Sequence, residues 1–357
     1  MGKSIKNLSS VTVVGLDIAK HVFQVHAIAD GGVVVVAKAI RRGQVLNFFA
    51  LLPPCLVGIE ACSSAHHWAR ALTKLGHAVK LIPPAYVKPY VRRNKNDAAD
   101  AAAICEAVQR PSMRFVPVRS VENQAQLMHH RARELLVGNR TRMLNALRGS
   151  LAEIGVIAPQ GAQHAYALKR LAAEGFDANG EVVVADCVRA ALAAYVRQIE
   201  AIDVEIAAID AAIKTQVKAD ETARRLMTIP GIGPITASAI VATVRETSAF
   251  ANGREFAAYL GLTPRQHSSG GKERLGRITK MGDRYLRKLL VVGACATLVH
   301  RQGHDDALRL WADQMLARKA VRYKFKLTAV ALANKLARIV FALMTRGGAY
   351  KELPVAA

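Results

Sequence analysis

The chain has 357 residues, 52% hydrophobic and 22% charged. That is material for about two to three domains of roughly 100–200 residues each, and it excludes wholesale disorder. Lys and Arg number 50 against 27 Asp and Glu, a formal net charge of +23, so the expected partner is a polyanion: DNA, RNA or an anionic membrane surface.

The first ten residues, MGKSIKNLSS, carry Lys3 and Lys6 but no apolar run and no cleavage-site pattern, so no leader is expected. From residue 11 to about 117, short β-rich runs alternate with helical ones. Residues 11–17 form a buried strand candidate. Strands over 21–29 and 33–39 follow, with a turn at Asp30-Gly31-Gly32. A short helix over 44–52, a strand over 56–61, a helix over 64–75, a strand over 78–82 and a helix over 97–109 complete the region, the last two ended by Pro83-Pro84 and Pro111. Three strands as a meander, then helix–strand–helix–strand–helix, is the order of an RNase H-like fold.

The middle region is helical. Residues 120–154 place Val137, Leu144, Leu147, Leu151 and Ile154 on one face. Glycine-bearing interruptions follow near Gly161 and at Gly175–Gly180. Leu192, Tyr195, Ile199, Ile202, Ile206, Ile209 and Ile213 then keep a strict 3-4 spacing, the seam of a coiled coil. An antiparallel helical hairpin, a dimerising coil and a helix on a globular core all fit that stripe; the dimerising reading makes the 199–213 seam a protomer contact. From about residue 225 the chain opens with a Gly-rich helical hairpin, passes through a basic segment and closes with amphipathic helices. The resulting domain division is 1–117, 118–224 and 225–357. The closest approach to the ~18 uninterrupted apolar residues of a spanning helix lies at 327–344, where Lys335 and Arg338 interrupt it, so no membrane partner is expected. Cys55, Cys62, Cys105, Cys187 and Cys295 are scattered and form no CxxC pair, which fits reduced cysteines of a cytoplasmic protein.

Four carboxylates carry the chemistry. Asp17 ends the first strand and Glu60 sits at the end of LVGIE. Asp97 and Asp100 stand three apart in KNDAAD, on one helix face. In an RNase H-like arrangement the first and fourth strands are neighbours and the last helix packs beside them, so all four groups converge. Unneutralised, such a set repels itself and takes up protons. Two Mg²⁺ ions about 4 Å apart would neutralise it and clamp the attacking and leaving oxygens of a phosphodiester. Taken singly, Asp17 as a turn residue, Glu60 as a cap and Asp97 as an N-cap are ordinary; the set of four is not.

Gly231 and Gly233, in LMTIPGIGPITASAI, present backbone N–H groups at a helix start, which suits a phosphate. The pattern is that of a helix-hairpin-helix, or of a tight turn between packed helices. Downstream, Arg265, Lys272, Arg274, Arg277, Lys280, Arg284, Arg287 and Lys288 stand against only Glu273 and Asp283. Basic residues interleaved with Gly and Ser read as a flexible phosphate-binding loop leading into a basic helix. Ser268 and Ser269 lie within it, either as phosphate contacts or as a nucleophile whose developing charge the cations stabilise. His66-His67 and His129-His130 read as helix-surface positions or nucleic-acid contacts, since adjacent helical histidines face apart.

VGLDIAK, VGIEACSSAHHWA, KNDAADAAAI and LMTIPGIGPITASAI…YLGLTPRQHSSGGKERLGRITKMGDRYLRKLL, in this order and over nearly the whole chain, resemble the DEDD transposases of bacterial insertion sequences, nearest the 1111 group of the insertion-sequence-110 family. The resemblance implies an α/β RuvC-like N-terminal domain, a central helical coiled coil and a mainly α-helical C-terminal transposase domain. It places the D-E-D-D set on Asp17, Glu60, Asp97 and Asp100 as ligands of Mg²⁺, with Mn²⁺ as the alternative. It implies a serine nucleophile at Ser269, with Ser268 as the fallback. It further implies donor and target DNA as substrates, a guide RNA encoded by the element, and a homo-oligomer. That oligomer is a dimer, or a tetramer in the synaptic complex, with metal ligands from one protomer and serine from another. The expected location is the bacterial cytoplasm, at the nucleoid. Delegating sequence choice to base pairing fits a basic protein, and an aromatic content of only 5% argues against an aromatic stacking platform for single strands. A metal-dependent junction-type nuclease would need the carboxylates without Ser269; a non-catalytic basic nucleic-acid-binding protein would need neither.

Overall fold

Alternation of buried and exposed positions sets up the first sheet. In β1 (Val11–Asp17) Val11, Val14 and Leu16 are buried, and in β2 (Val22–Ala29) Phe23, Val25 and Ala27 are. A tight connection at Asp30–Gly32, with Gly31 at φ 73° and Gly32 at φ 79°, turns the chain into β3 (Val34–Arg41). After α1 (Val45–Ala50) come β4 (Leu56–Glu60), α2 (Ala65–Lys74), β5 (Ala78–Ile82) and the single turn α3 (Pro84–Val87), then α4 (Asp97–Val108). The sheet order is β3-β2-β1-β4-β5. The first three strands are antiparallel and β1-β4-β5 are parallel, which is the RNase H-like arrangement. Phe23 meets Trp68 of α2 edge-to-face with ring centroids 4.9 Å apart, closing the core on that side of the sheet.

This is a computed structural model, and it describes residues 8–91, 96–175, 181, 184–244, 246–302, 306–318 and 324–351. Lys3, Lys6, Lys95 of KNDAAD and Phe176–Gly180 of the second interruption fall outside the described residues. The chain divides into two units, Met1–Glu122 and Asn123–Ala357.

In the second unit, α5 (Val121–Glu153) and α7 (Asp186–Ala219) run antiparallel, with α6 (Ala165–Glu174) against them. Leu144, Leu147 and Leu151 of α5 share one buried cluster with Leu192, Val196 and Ile199 of α7. Arg133 pairs with Asp210 at 2.5 Å and Arg140 with Asp203 at 3.1 Å, a seven-residue step taken in opposite directions along the two helices. The isoleucine seam therefore closes within one chain. Ile199 and Ile213 are fully buried and Ile206 nearly so, which corrects the reading of this seam as a protomer contact: a heptad stripe shows that something covers it, not which helix does.

The C-terminal core gathers α8 (Glu221–Leu226), α9 (Pro234–Thr243), α10 (Gly253–Tyr259), α11 (Arg284–Val299), α12 (Ala307–Ala317) and α13 (Lys324–Arg346). By length and composition α13 could cross a bilayer. Instead Ala329, Leu332, Leu336 and Val340 form the centre of this core, completely or almost completely buried. The basic segment is not an open loop. It forms the hairpin β6 (Pro264–Gln266) and β7 (Leu275–Ile278) before entering α11.

Candidate functional site

The carboxylates are placed by a notch in the sheet. Gly15 of β1 and Gly58 of β4 are direct partners across the parallel pair. A Cβ on Gly15 would lie 2.1 Å from the Ala101 carbonyl oxygen and 2.5 Å from the Cys105 nitrogen; one on Gly58 would lie 2.8 Å from Val108 Cβ. Only hydrogen at both positions lets the alanine-rich α4 rest directly on the strands. Asn96 caps α4 by accepting from the Ala99 N–H at 2.8 Å. The first turn, bearing Asp97 and Asp100, is thereby held over the carboxyl end of β1.

One carboxylate oxygen from each of Asp17, Asp97 and Asp100 lies within 4.8 Å of the others. Leu16 pairs with Ile59, so Glu60 ends the strand beside Asp17, and its charge contributes to the same field. Burial, then the charges of Asp100, Asp97 and Glu60, push the Asp17 carboxyl up to about 6. Among the described residues, no cation pairs with Asp17, Asp97 or Asp100. An all-oxygen set of this kind suits a hard divalent cation such as Mg²⁺ or Mn²⁺.

The serines stand at the tip of the β6–β7 hairpin. Ser269 and Lys272 bridge across Gly270 (φ 57°) and Gly271 (φ 76°), a turn with positive φ at both central residues. The His267 N–H donates to the Arg274 carbonyl at 2.8 Å. Side chains alternate along a strand and opposed residues share a face. Ser269, Lys272, His267, Arg274 and Arg265 therefore lie on one face, over Gly276, where a Cβ would sit 3.3 Å from the His267 ring. Gln266, Ser268, Glu273 and Leu275 take the other face. The Ser268 hydroxyl accepts from the Arg274 N–H at 3.1 Å; no side-chain hydrogen bond occupies Ser269 among the described residues. The two serines, equals by sequence, differ in charge environment and in occupancy.

The remaining predicted contacts separate likewise. Lys272, Arg274, Arg277, Lys280 and Arg284 are exposed. Arg265 is exposed too and donates to the Thr279 carbonyl at 3.3 Å. Arg287 is half-buried and donates to the Leu260 and Met281 carbonyls at 3.0 and 2.8 Å, bracing the turn before α11. Lys288 pairs with Glu134 at 3.2 Å. Gly233 is exposed at the start of α9. Gly231 (φ 83°) packs on α11, where a Cβ would lie 2.5 Å from the Gly293 carbonyl oxygen; its smallness serves packing.

Two histidines expected at the surface are buried. His66 accepts from the Arg119 N–H at 3.2 Å. His130, 1% exposed, has Nδ1 3.1 Å from Tyr285 Oη and Nε2 3.0 Å from Ser238 Oγ. It thus ties α5 to α9 and to α11. Burial, and then the charge of Arg133, push its pKa down to about 4, while burial pushes Tyr285 up to about 12. Adjacent-histidine spacing carries no signal of this burial.

Comparison with known proteins places these features in a family. Residues 14–156 match the model of an IS110-type DEDD transposase domain, described as "Transposase". Residues 223–309 match that of the "Transposase IS116/IS110/IS902 family". The chain is 45% identical over 346 residues to a "Probable family 20 transposase" of Pseudomonas aeruginosa, covering 97% of this chain and 99% of that one. It is 38% identical to the "Transposase for insertion sequence element IS1328" of Yersinia enterocolitica, covering 97% of this chain and 100% of that one. To the "Transposase for insertion sequence element IS1111A" of Coxiella burnetii it is 37% identical, covering 98% and 94%. With Asp17, Glu60, Asp97 and Asp100 inside the first match and the serine hairpin inside the second, this chain belongs to the IS110 family of insertion-sequence transposases, in the company of the IS1111 and IS1328 enzymes.

Proposed function

We propose that this protein cuts and rejoins DNA at the ends of an insertion sequence, with Asp17, Glu60, Asp97 and Asp100 as the ligands of Mg²⁺ (or Mn²⁺) and Ser269 as the nucleophile. The observation that carries the reading is the gathering of Asp17, Asp97 and Asp100 in a protein of net charge +23. Bound there, the metal supplies charge neutralisation and polarises a phosphodiester oxygen. The chain's own groups do the rest. Asp17, Asp97 and Asp100, with Glu60 beside them, would hold that metal at the carboxyl end of β1. Ser269 Oγ attacks phosphorus; the O–P bond to serine forms, the bond to one nucleotide oxygen breaks, the serine proton leaves to water and the leaving oxygen takes one up. Lys272 and Arg274, on the same hairpin face, stabilise the charge that develops. Rejoining reverses these bond changes with a hydroxyl from another strand.

In the same reading an RNA encoded by the element chooses donor and target by base pairing, and the protein binds it through its backbone; the exposed cations of the hairpin and the scarcity of aromatic residues support this. A dimer, paired again in synapsis, brings the carboxylates of one protomer and the serine of another to one phosphodiester. The exposure of both hairpin faces supports that arrangement.

The test is a covalent adduct. Purified protein, Mg²⁺, element-end DNA and RNA transcribed from the element's flank are mixed and run on denaturing gels beside Ser269→Ala and Asp17→Ala. An adduct in the wild type that is absent in both variants is the expected result. Cleaved DNA without adduct, lost only in Asp17→Ala, would make the protein a hydrolytic nuclease and Ser269 a phosphate contact.

A further inference from the structure

Away from the carboxylates and the hairpin, an open groove of about 780 Å³ lies between the loop entering α10 and the last three turns of α13. Its rim carries Arg254, Arg338 and Arg346, all exposed. Among the described residues none of the three is in an ion pair, and α13 contains no acidic residue. The nearby carboxylate of Glu255 accepts from the Ala251 N–H at 2.7 Å, so it is turned to the loop backbone. Phe250 and Phe341, both half-buried, line the groove. Phe256 beneath holds them: its ring centroid is 5.2 Å from that of Phe250 and 6.1 Å from that of Phe341. In a chain with only 5% aromatic residues, two rings open to one groove under three uncompensated guanidinium groups is a specific combination.

Each component has a physical counterpart in a nucleotide. Guanidinium groups bind phosphate oxygens two at a time. A fixed ring face stacks on any base, provided the base is not paired and stacked in a duplex. A duplex would satisfy the arginines and leave the aromatic rings unused. We propose that this groove binds an unpaired nucleotide of a single-stranded segment, its base over Phe250 and Phe341 and its flanking phosphates on Arg254, Arg338 and Arg346. The inference rests on the reading of the protein as a nucleic-acid enzyme but on neither Asp17 nor Ser269. A failed cleavage assay and a failed groove are therefore separate results.

The experiment uses the full chain and fluorescence anisotropy with three probes of about ten nucleotides: oligo(dT), oligo(rU) and a blunt DNA duplex. Phe250→Leu, which keeps an apolar side chain on Phe256, should weaken single-strand binding about fivefold or more and leave duplex binding within about twofold. Phe250→Tyr should restore it. Arg338→Glu and Arg346→Glu change exposed residues and should weaken single-strand binding about tenfold, lowering the salt slope by about 0.7 for each phosphate that the groove no longer holds. A larger effect on oligo(rU) assigns the groove to RNA, a larger one on oligo(dT) to DNA, and equal effects to either strand. Photocrosslinking of a 5-iodouracil oligonucleotide needs no substitution and should label the peptides holding residues 247–254 or 338–346. Wild-type single-strand binding by Phe250→Leu and Arg338→Glu, equal loss on duplex and single strand in Phe250→Leu, or crosslinks confined to other segments would overturn the proposal.

Discussion

The carboxylate cluster and the serine hairpin are built by opposite means. Asp17, Asp97 and Asp100 are fixed from below: β1 and β4 are central strands, Gly15 and Gly58 admit α4, and the cap at Asn96 sets the first turn. Ser269 stands on a two-stranded ribbon whose every residue from Pro264 to Arg277 is exposed. A two-stranded ribbon alone is marginal in water. In the proposed mechanism one half of the chemistry is preorganised by the fold, while the other half takes its final position from what it binds.

The largest effect belongs to the rigid half. Asp17→Asn should lower strand cleavage by about a thousandfold or more, with DNA binding retained in a filter or gel-shift assay; cleavage within tenfold of wild type would remove Asp17 from the chemistry. Next, Ser269→Ala should abolish the covalent adduct and shift stability by less than about 0.5 kcal/mol, as expected of an exposed position. Ser268→Ala should keep the adduct. Loss of adduct in Ser268→Ala alone would exchange the two serines.

Gly15→Ala forces a methyl group to within 2.1 Å of the Ala101 carbonyl. It should cost about 3 kcal/mol in a denaturant melt and displace the first turn of α4 from β1. Gly276→Ala, at the hairpin, meets only side chains at 3.3 Å or more and should cost far less. Similar costs at the two glycines would contradict the contrast.

The two units should answer pH with opposite signs. Asp17 has its folded pKa raised to about 6 from 3.8. Its contribution is therefore fully present below the unfolded value and is lost as pH rises through about 6. His130 has its folded pKa lowered from 6.5 to about 4, so its contribution is present above 6.5 and is lost as pH falls toward 4. Calorimetry of the metal-free protein between pH 4.5 and 7.5 should show the N-terminal transition weakening and the C-terminal one strengthening as pH rises, on the order of a few degrees each. Adding Mg²⁺ should raise the first transition more at pH 7.5 than at pH 5. Parallel shifts, or equal Mg²⁺ effects at both pH values, would contradict the cluster's electrostatics. The smallest effect is at the ribbon: Arg277→Ala should lower the salt slope of nucleic-acid binding by about one unit, whereas Arg287→Ala, which removes a turn brace, should lower stability instead.

The same contrast explains what can be read from sequence. Burial writes itself into β1 as an apolar run, and the Pro83-Pro84 stop marks the end of β5, so 11–17 and 78–82 are readable to the residue, and the four acids follow from strand ends and one helical spacing. The Gly15–Gly58 pairing stays hidden because it depends on register between strands about forty residues apart. The hairpin escapes a sequence reading for the opposite reason: nothing in it is buried, so no alternation marks it, and Gly270-Gly271, the signal for a turn with two positive φ values, reads equally as a loop. His130 is buried by helices distant in sequence and His66 meets Arg119 in the segment before α5, neither of which a histidine pair on one helix can announce. The isoleucine seam is visible in the sequence, but its partner, α5 of the same chain, is not.

The most direct test of a two-part site is to ask which atom carries the DNA. The covalent adduct is digested with nuclease and protease and the modified peptide sequenced by mass spectrometry. The account predicts a nucleotide phosphate on Ser269, formed in wild type and absent from Asp17→Asn. A phosphate on Ser268, or an adduct formed equally well without Asp17, would contradict it.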